Sequence, residues 1–173
     1  MWIKGWKMKE VKPYLKFTMR SECFAVELSL VTEVILVPKN AFMPWLPTYL
    51  SGVLRHRGSV VPLLDMGMKL ELVRIVPTVK TAAIIIDCAR FSDKGACESL
   101  GLVVDSVQEL VHIDHASLEP FQGGTQGIDG RFVPGVTRME GGPITILDVA
   151  GILSGDDIIN MEEIATRELM GCQ

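Results

Sequence analysis

One short stretch of this chain occurs twice. Gly52-Val53-Leu54-Arg55 returns as Gly135-Val136-Thr137-Arg138, and Leu63-Leu64-Asp65 returns as Ile146-Leu147-Asp148, both 83 positions on. Further upstream, Val31-Thr32-Glu33-Val34 returns as Val107-Gln108-Glu109-Leu110, 76 positions on. A fixed offset over separated segments marks a duplicated structural unit. The seven-residue change in offset calls for a longer loop in the second copy, and Pro120 to Gly130 supplies a glycine-rich one.

Each unit is made of strands. Large apolar residues fall on alternate positions in Phe24-Ala25-Val26-Glu27-Leu28-Ser29-Leu30 and in Tyr14-Leu15-Lys16-Phe17-Thr18, the period of a half-buried strand. Further strands are expected at 60–64, 83–86, 100–104, 110–113 and 144–147, rich in Val, Ile and Leu and broken by Gly and Pro at short intervals. The expected fold is all-β: two tandem five-stranded barrels around a shared core, spanning residues 13–153, with sub-barrels at about 13–80 and 81–153. One larger sandwich is the alternative. Two barrels are preferred because each copy has its own Gly-Val turn and its own closing Leu-Asp strand. A seam between two such units is a common place for binding.

Residues 154–173 read as a helical tail. Ser154-Gly155-Asp156-Asp157 resembles a capping box, and Ile158, Met161, Ala165 and Leu169 follow at spacings of three and four. Asp156, Asp157, Glu162 and Glu163 suit the positive end of a helix dipole. A short helical turn is also expected at 47–49.

Composition narrows the function. Hydrophobic residues make up 48% of the 173 and charged residues 22%, enough for a packed core and against general disorder. A net charge of -4 argues against a nucleic-acid module or binding to an anionic membrane. The densest apolar run, 82–86, is stopped by Lys80 and Asp87, far short of the roughly 18 residues of a membrane span. The charged start lacks a signal peptide's apolar middle, so a cytosolic protein is expected. Cys23, Cys88, Cys97 and Cys172 form no C-x-x-C pair and read as reduced, buried small hydrophobes.

No G-x-S-x-G elbow, H-E-x-x-H or P-loop occurs, so no enzyme activity is expected. Gly123 to Gly127 lacks the Lys-Ser/Thr that would make it a phosphate cradle. His112 and His115 lack enough neighbours to complete a zinc site. Asp65 and Asp148 could form an acid–base pair, but each ends a strand and is expected to bind backbone amides in the next turn. No cofactor or metal is expected. Arg55-His56-Arg57-Gly58 is the sharpest polar feature. It is either a solvated hairpin turn or a site for an acidic partner, since arginine's planar fork matches a carboxylate. Nine methionines and a mean hydropathy of +0.30 fit either a rich core or exposed apolar patches for protein partners.

These residues resemble the CheW-type chemotaxis coupling family. The resemblance runs through Tyr14-Leu15-x-Phe17, Phe24-Ala25-Val26, Val31-x-Glu33-Val34 and Pro47-x-Tyr49-Leu50-x-Gly52-Val53. It continues in Arg57-Gly58-x-Val60-Val61-Pro62-Leu63-Leu64-Asp65, the most diagnostic segment, and in Gly101-Leu102-Val103-Val104-Asp105-x-Val107. Phe132-Val133-x-Gly135-Val136 and Ile146-Leu147-Asp148 complete it. The resemblance implies SH3-like barrels and a non-enzymatic scaffold. Its implied partners are the regulatory domain of the histidine kinase CheA and the cytoplasmic tip of methyl-accepting chemoreceptors. The family's receptor-contact pattern falls on Val31, Glu33, Gly52, Arg57, Gly101, Leu110 and Gly135. Where the family has Asn and an aliphatic residue before Arg-Gly, this chain has Arg55 and His56, and Trp2 and Trp6 have no counterpart. An adaptor in a gliding, pilus or gene-regulatory system is the nearby alternative. A small-molecule-binding or hydrolytic barrel is the distant one, and it would show a deep polar pocket.

Overall fold

A computed structural model of the chain describes residues 2–3, 6–7, 9–43, 46, 49–91, 98–123, 127–153 and 155–171. A two-stranded ribbon (β1, Trp2–Ile3; β2, Trp6–Lys7) precedes ten further strands in two five-stranded sheets. These are β3 (Val11–Met19), β4 (Glu22–Glu27), β5 (Val31–Leu36), β6 (Leu50–His56), β7 (Ser59–Asp65), β8 (Ala82–Asp87), β9 (Ser99–Val104), β10 (Ser106–Asp114), β11 (Gly135–Met139) and β12 (Gly142–Ile146). One sheet has the order β10-β3-β4-β12-β11 and the other β5-β8-β9-β7-β6.

The two orders are the same pattern written twice: a hairpin (β3–β4 or β8–β9) set beside a three-strand unit (β10–β12 or β5–β7). The 83-residue offset is therefore structural. Each unit ends in an antiparallel hairpin whose second strand pairs in parallel with the partner hairpin, β7 with β9 and β12 with β4. The partition, however, differs from the expected boundary between residues 80 and 81. Each half of the sequence contributes its hairpin to one barrel and its three-strand unit to the other. The connections explain this exchange. Only the turn Leu28–Leu30 separates β4 from β5, and only Asp105 separates β9 from β10. After β9 the single residue Asp105 is too short to turn the chain back beside its own hairpin, so the chain runs straight into the other sheet. There it is fixed at once: the Asp105 amide donates to the Thr18 carbonyl at 3.1 Å, and the Arg20 amide donates to the Asp105 carboxylate at 2.8 Å.

Both sheets close into SH3-like barrels by the same device. The segment after β10 bridges to β11 (Glu119 with Val136), and the segment after β5 bridges to β6 (Phe42 with Gly52). Closure brings backbone against backbone at two equivalent glycines. A Cβ on Gly52 would lie 1.8 Å from the Ala41 carbonyl oxygen, and one on Gly135 would lie 3.0 Å from the Glu119 carbonyl oxygen.

Two apolar clusters fill the molecule. Tyr14, Ala25, Val111, Ile113, Ile144 and Ile146 form one, inside the first barrel. Leu15, Phe17, Phe24 and Val26, from the opposite faces of the same strands, join Leu64, Ile84, Leu100 and Leu102 of the second barrel in a larger one. The core is thus shared, and β3 and β4 are buried on both faces. The strand expected over 24–30 ends at Glu27, with Leu28–Leu30 as a 3₁₀ turn.

Short helices follow each repeat's Leu-Asp: α1 (Met66–Lys69) and α2 (Val149–Ile152). Asp65 caps α1 as expected, accepting from the Met68 and Ile75 amides at 3.0 and 3.1 Å, and its burial raises its carboxyl above the ordinary carboxylate range. Asp148 makes no such side-chain hydrogen bond, a departure from the expectation. The tail forms α3 (Gly155–Met170). Ser154, with the expected cap, and Pro47 and Thr48, with the expected turn, lie outside the described residues. Asp157 does not serve the helix dipole in solvent. It is 1% exposed and accepts from Lys69 Nζ at 2.6 Å. Asp157, Met161 and Ile164 are buried along one face of α3, and Asn160 donates to the Tyr49 hydroxyl at 2.7 Å.

Candidate functional site

The two barrels leave a groove where sheet edges meet. β5 is the edge of one sheet and β10 of the other. Val34 and Leu36 of β5, Lys80 and Ala82 before and at the start of β8, and Ser106, Val107 and Gln108 of β10 line a space of about 530 Å³. Along β5, half-buried Val31, Glu33 and Ile35 alternate with exposed Thr32, Val34 and Leu36. Leu36 is 67% exposed, and Leu110, further along β10, is also exposed. Apolar side chains facing water on two facing strand edges are unusual in a closed barrel and mark a contact surface.

A charged cluster lies at the Glu33 end of β5. His56 ends β6, and Arg57 and Gly58 form the turn into β7 with left-handed φ of 50° and 81°, as a two-residue hairpin requires. Glu33 receives both side chains: His56 Nε2 lies 2.9 Å from one carboxylate oxygen, and Arg57 Nη2 lies 3.3 Å from the other. The Arg57 side chain is 77% exposed. Charge pairs this exposed contribute about 0–1 kcal/mol to stability, so the cluster is a poor explanation of the fold and a better one of recognition.

The seven residues named from the resemblance divide in two. Val31, Glu33 and Arg57 lie on or beside β5, with Glu33 and Arg57 in contact, and Leu110 lies on β10. Gly52, Gly101 and Gly135 are buried in the barrel walls. A Cβ on Gly101 would lie 2.7 Å from Leu63 Cδ2 and 3.2 Å from Ala83 Cβ. The groove lining at Val34, Leu36 and Gln108 was not singled out from sequence. Apolar residues at strand positions read as core until the fold shows that their side chains have no partner.

The other polar candidates have structural partners. His115 and the Tyr14 hydroxyl are hydrogen-bonded, and burial, with Glu27 and Glu10 nearby, pushes the Tyr14 phenol up to about 12. Among the described residues, no group of three or more His, Cys, Asp or Glu could hold a metal. Cys88 is buried and Cys23 half-buried, while Cys97, Cys172 and residues 124–126 of the glycine-rich loop lie outside the described residues. No helix among the described residues is long and apolar enough to cross a membrane.

A family model, the CheW-like domain, matches residues 13–157. The chain belongs to the CheW-like domain family. It is similar to the chemotaxis protein CheW of Rhizobium meliloti, at 23% identity over 143 residues, 83% of this chain and 88% of that one. It is also similar to the chemotaxis protein CheW of Helicobacter pylori, at 24% identity over 148 residues, 86% of this chain and 85% of that one. The crystal structure of the scaffolding protein TtCheW from Thermoanaerobacter tengcongensis superposes with a TM-score of 0.68 at 23% identity, covering 91% of this chain and 96% of that one. The fold agrees with this likeness, and membership makes a chemotaxis adaptor or scaffold the general function.

Proposed function

We propose that the chain is a cytoplasmic, non-enzymatic scaffold that couples chemoreceptors to the histidine kinase CheA. In this reading the cytoplasmic tip of a methyl-accepting chemoreceptor, a helical hairpin, lies in the groove between β5 and β10. Val31, Val34, Leu36 and Leu110 give it apolar contacts, and Arg57 takes a carboxylate. Gly52, Gly101 and Gly135 set the path of the backbone that carries these side chains. The CheA regulatory domain docks at an apolar end of one barrel. Exposed Val73, Val76 and Val79, in the segment between α1 and β8, are a surface of the required kind.

The observation that carries the reading is the groove itself. Its lining includes Val34 and Leu36, apolar residues that the fold leaves exposed, beside polar Lys80, Ser106 and Gln108; it runs between two barrel edges, and an exposed guanidinium lies near the Glu33 end of β5. A helix laid on such a surface buries apolar area and gains one oriented charge contact. Signalling through the scaffold then requires contacts that differ between the kinase's on and off states. The test is a pull-down with receptor-tip fragments. Arg57→Glu is expected to reduce capture strongly, because it places a carboxylate where the partner's would sit. Unchanged capture removes Arg57 from the site.

A further inference from the structure

The Glu33 carboxylate is divided between two donors. His56 holds one oxygen at 2.9 Å, an ordinary hydrogen-bond length, and Arg57 reaches the other with a single terminal nitrogen at 3.3 Å. An arginine beside an unoccupied carboxylate normally closes on both oxygens as a two-point fork, at about 2.7–2.9 Å. Here one oxygen is taken. Glu33 and His56 are each about one-third exposed or less, so their bond is the better sheltered of the two, while Arg57 projects into solvent from a turn position.

We propose that His56 is a positioning residue for the Arg57 docking site: by holding one Glu33 oxygen, it prevents the two-point Glu33–Arg57 fork and leaves the guanidinium available to an acidic side chain of the partner. The proposal rests on the receptor-docking reading above and adds to it a determinant of partner choice. A guanidinium has five N–H donors, and the contact with Glu33 uses one. Loss of the His56 donor frees the second Glu33 oxygen to turn toward Arg57. Arg57 is then held within the protein, and a partner carboxylate has to compete for it. Either neutral or charged imidazole can donate from Nε2, so the effect needs no proton uptake.

Two variants of the full chain test this. His56→Leu removes the donor at similar size, and His56→Gln keeps an N–H donor within reach. The first readout is the Arg57 side-chain N–H signals by NMR. The second is affinity for a receptor-tip helical-hairpin fragment. His56→Leu is expected to shift the Arg57 signals to those of a two-point pair and to weaken fragment binding roughly two- to fivefold, the range of an exposed ion pair. His56→Gln is expected to restore both. Unmoved Arg57 signals in His56→Leu, or His56→Gln behaving like His56→Leu, overturns the positioning role even if the fragment binds. If the Arg57 signals shift as expected but the wild type binds no fragment, the docking reading fails while the geometry at Glu33 stands.

Discussion

Gly52→Ala is expected to unfold the second barrel's seam, and Gly135→Ala is expected to be far milder. At Gly52 the added Cβ meets backbone on every side: the Ala41 carbonyl oxygen at 1.8 Å, its carbon at 2.8 Å and the Phe42 Cα at 3.0 Å. None of these is a side chain that can swing away. To admit the methyl, the 41–43 segment has to leave β6. It then loses the Phe42–Gly52 bridge and the 2.7 Å bond from the Met43 amide to the Ser51 carbonyl. It also exposes buried Ala41. At about 1 kcal/mol for each lost backbone bond, plus the exposed apolar surface, the cost is about 3–4 kcal/mol. That is a large part of the roughly 5–15 kcal/mol of a typical domain. At Gly135 the nearest atoms, Leu118 Cβ at 2.9 Å and the Glu119 oxygen at 3.0 Å, need to move only a few tenths of an ångström, and the cost is about 1 kcal/mol. Thermal unfolding followed by circular dichroism measures both. At about 2–4 °C per kcal/mol, melting falls by roughly 10 °C for Gly52→Ala. A Gly52→Ala variant as stable as wild type, or less perturbed than Gly135→Ala, refutes the closure argument.

Lys69→Met is expected to cost about 3 kcal/mol and to loosen α3, because it removes the cation facing a buried Asp157 carboxylate. Faster amide exchange across 157–164 reports it, and unchanged exchange contradicts it. Tyr14 gives a pH prediction. Its folded phenol holds its proton to about pH 12, whereas an unfolded one loses it near 10. Stability from this group is therefore full below about pH 10 and is lost as pH rises through 12. Absorbance near 295 nm should show a tyrosine step at about pH 12 that Tyr14→Phe removes. A step that survives the substitution assigns it elsewhere.

The duplication was legible because equal offsets survive in residues that the barrel forces. Gly52 and Gly135 sit at the closures, Asp65 ends and Asp148 follows the last strand of its unit, and Leu63 and Ile146 fill the barrel interiors. The exchange of hairpins was not legible. It depends on connector length, and alternation alone could not end β4 at Glu27 or start β10 at Ser106. Strands β5, β6 and β11 were visible only as repeat fragments; Gly52 in β6 and Gly135 in β11 interrupt the apolar pattern that signals a strand. In the site, Arg57 and Glu33 could be named from the resemblance, and their pairing was one of two readings, the other being Glu33 with a basic residue of a partner; the hairpin turn that meets β5 brings the two together. Nothing in the sequence marks the groove residues Val34 and Leu36 as exposed, because it records that a residue is apolar and not whether anything covers it.

The central claim is that the groove between β5 and β10 holds another protein. A photo-crosslinking residue at Leu36, compared with one at exposed Arg138 in β11, tests it in cells containing the intact signalling array. The account predicts a chemoreceptor adduct from position 36 and none from position 138. An adduct from 138 alone, with position 36 silent, contradicts it.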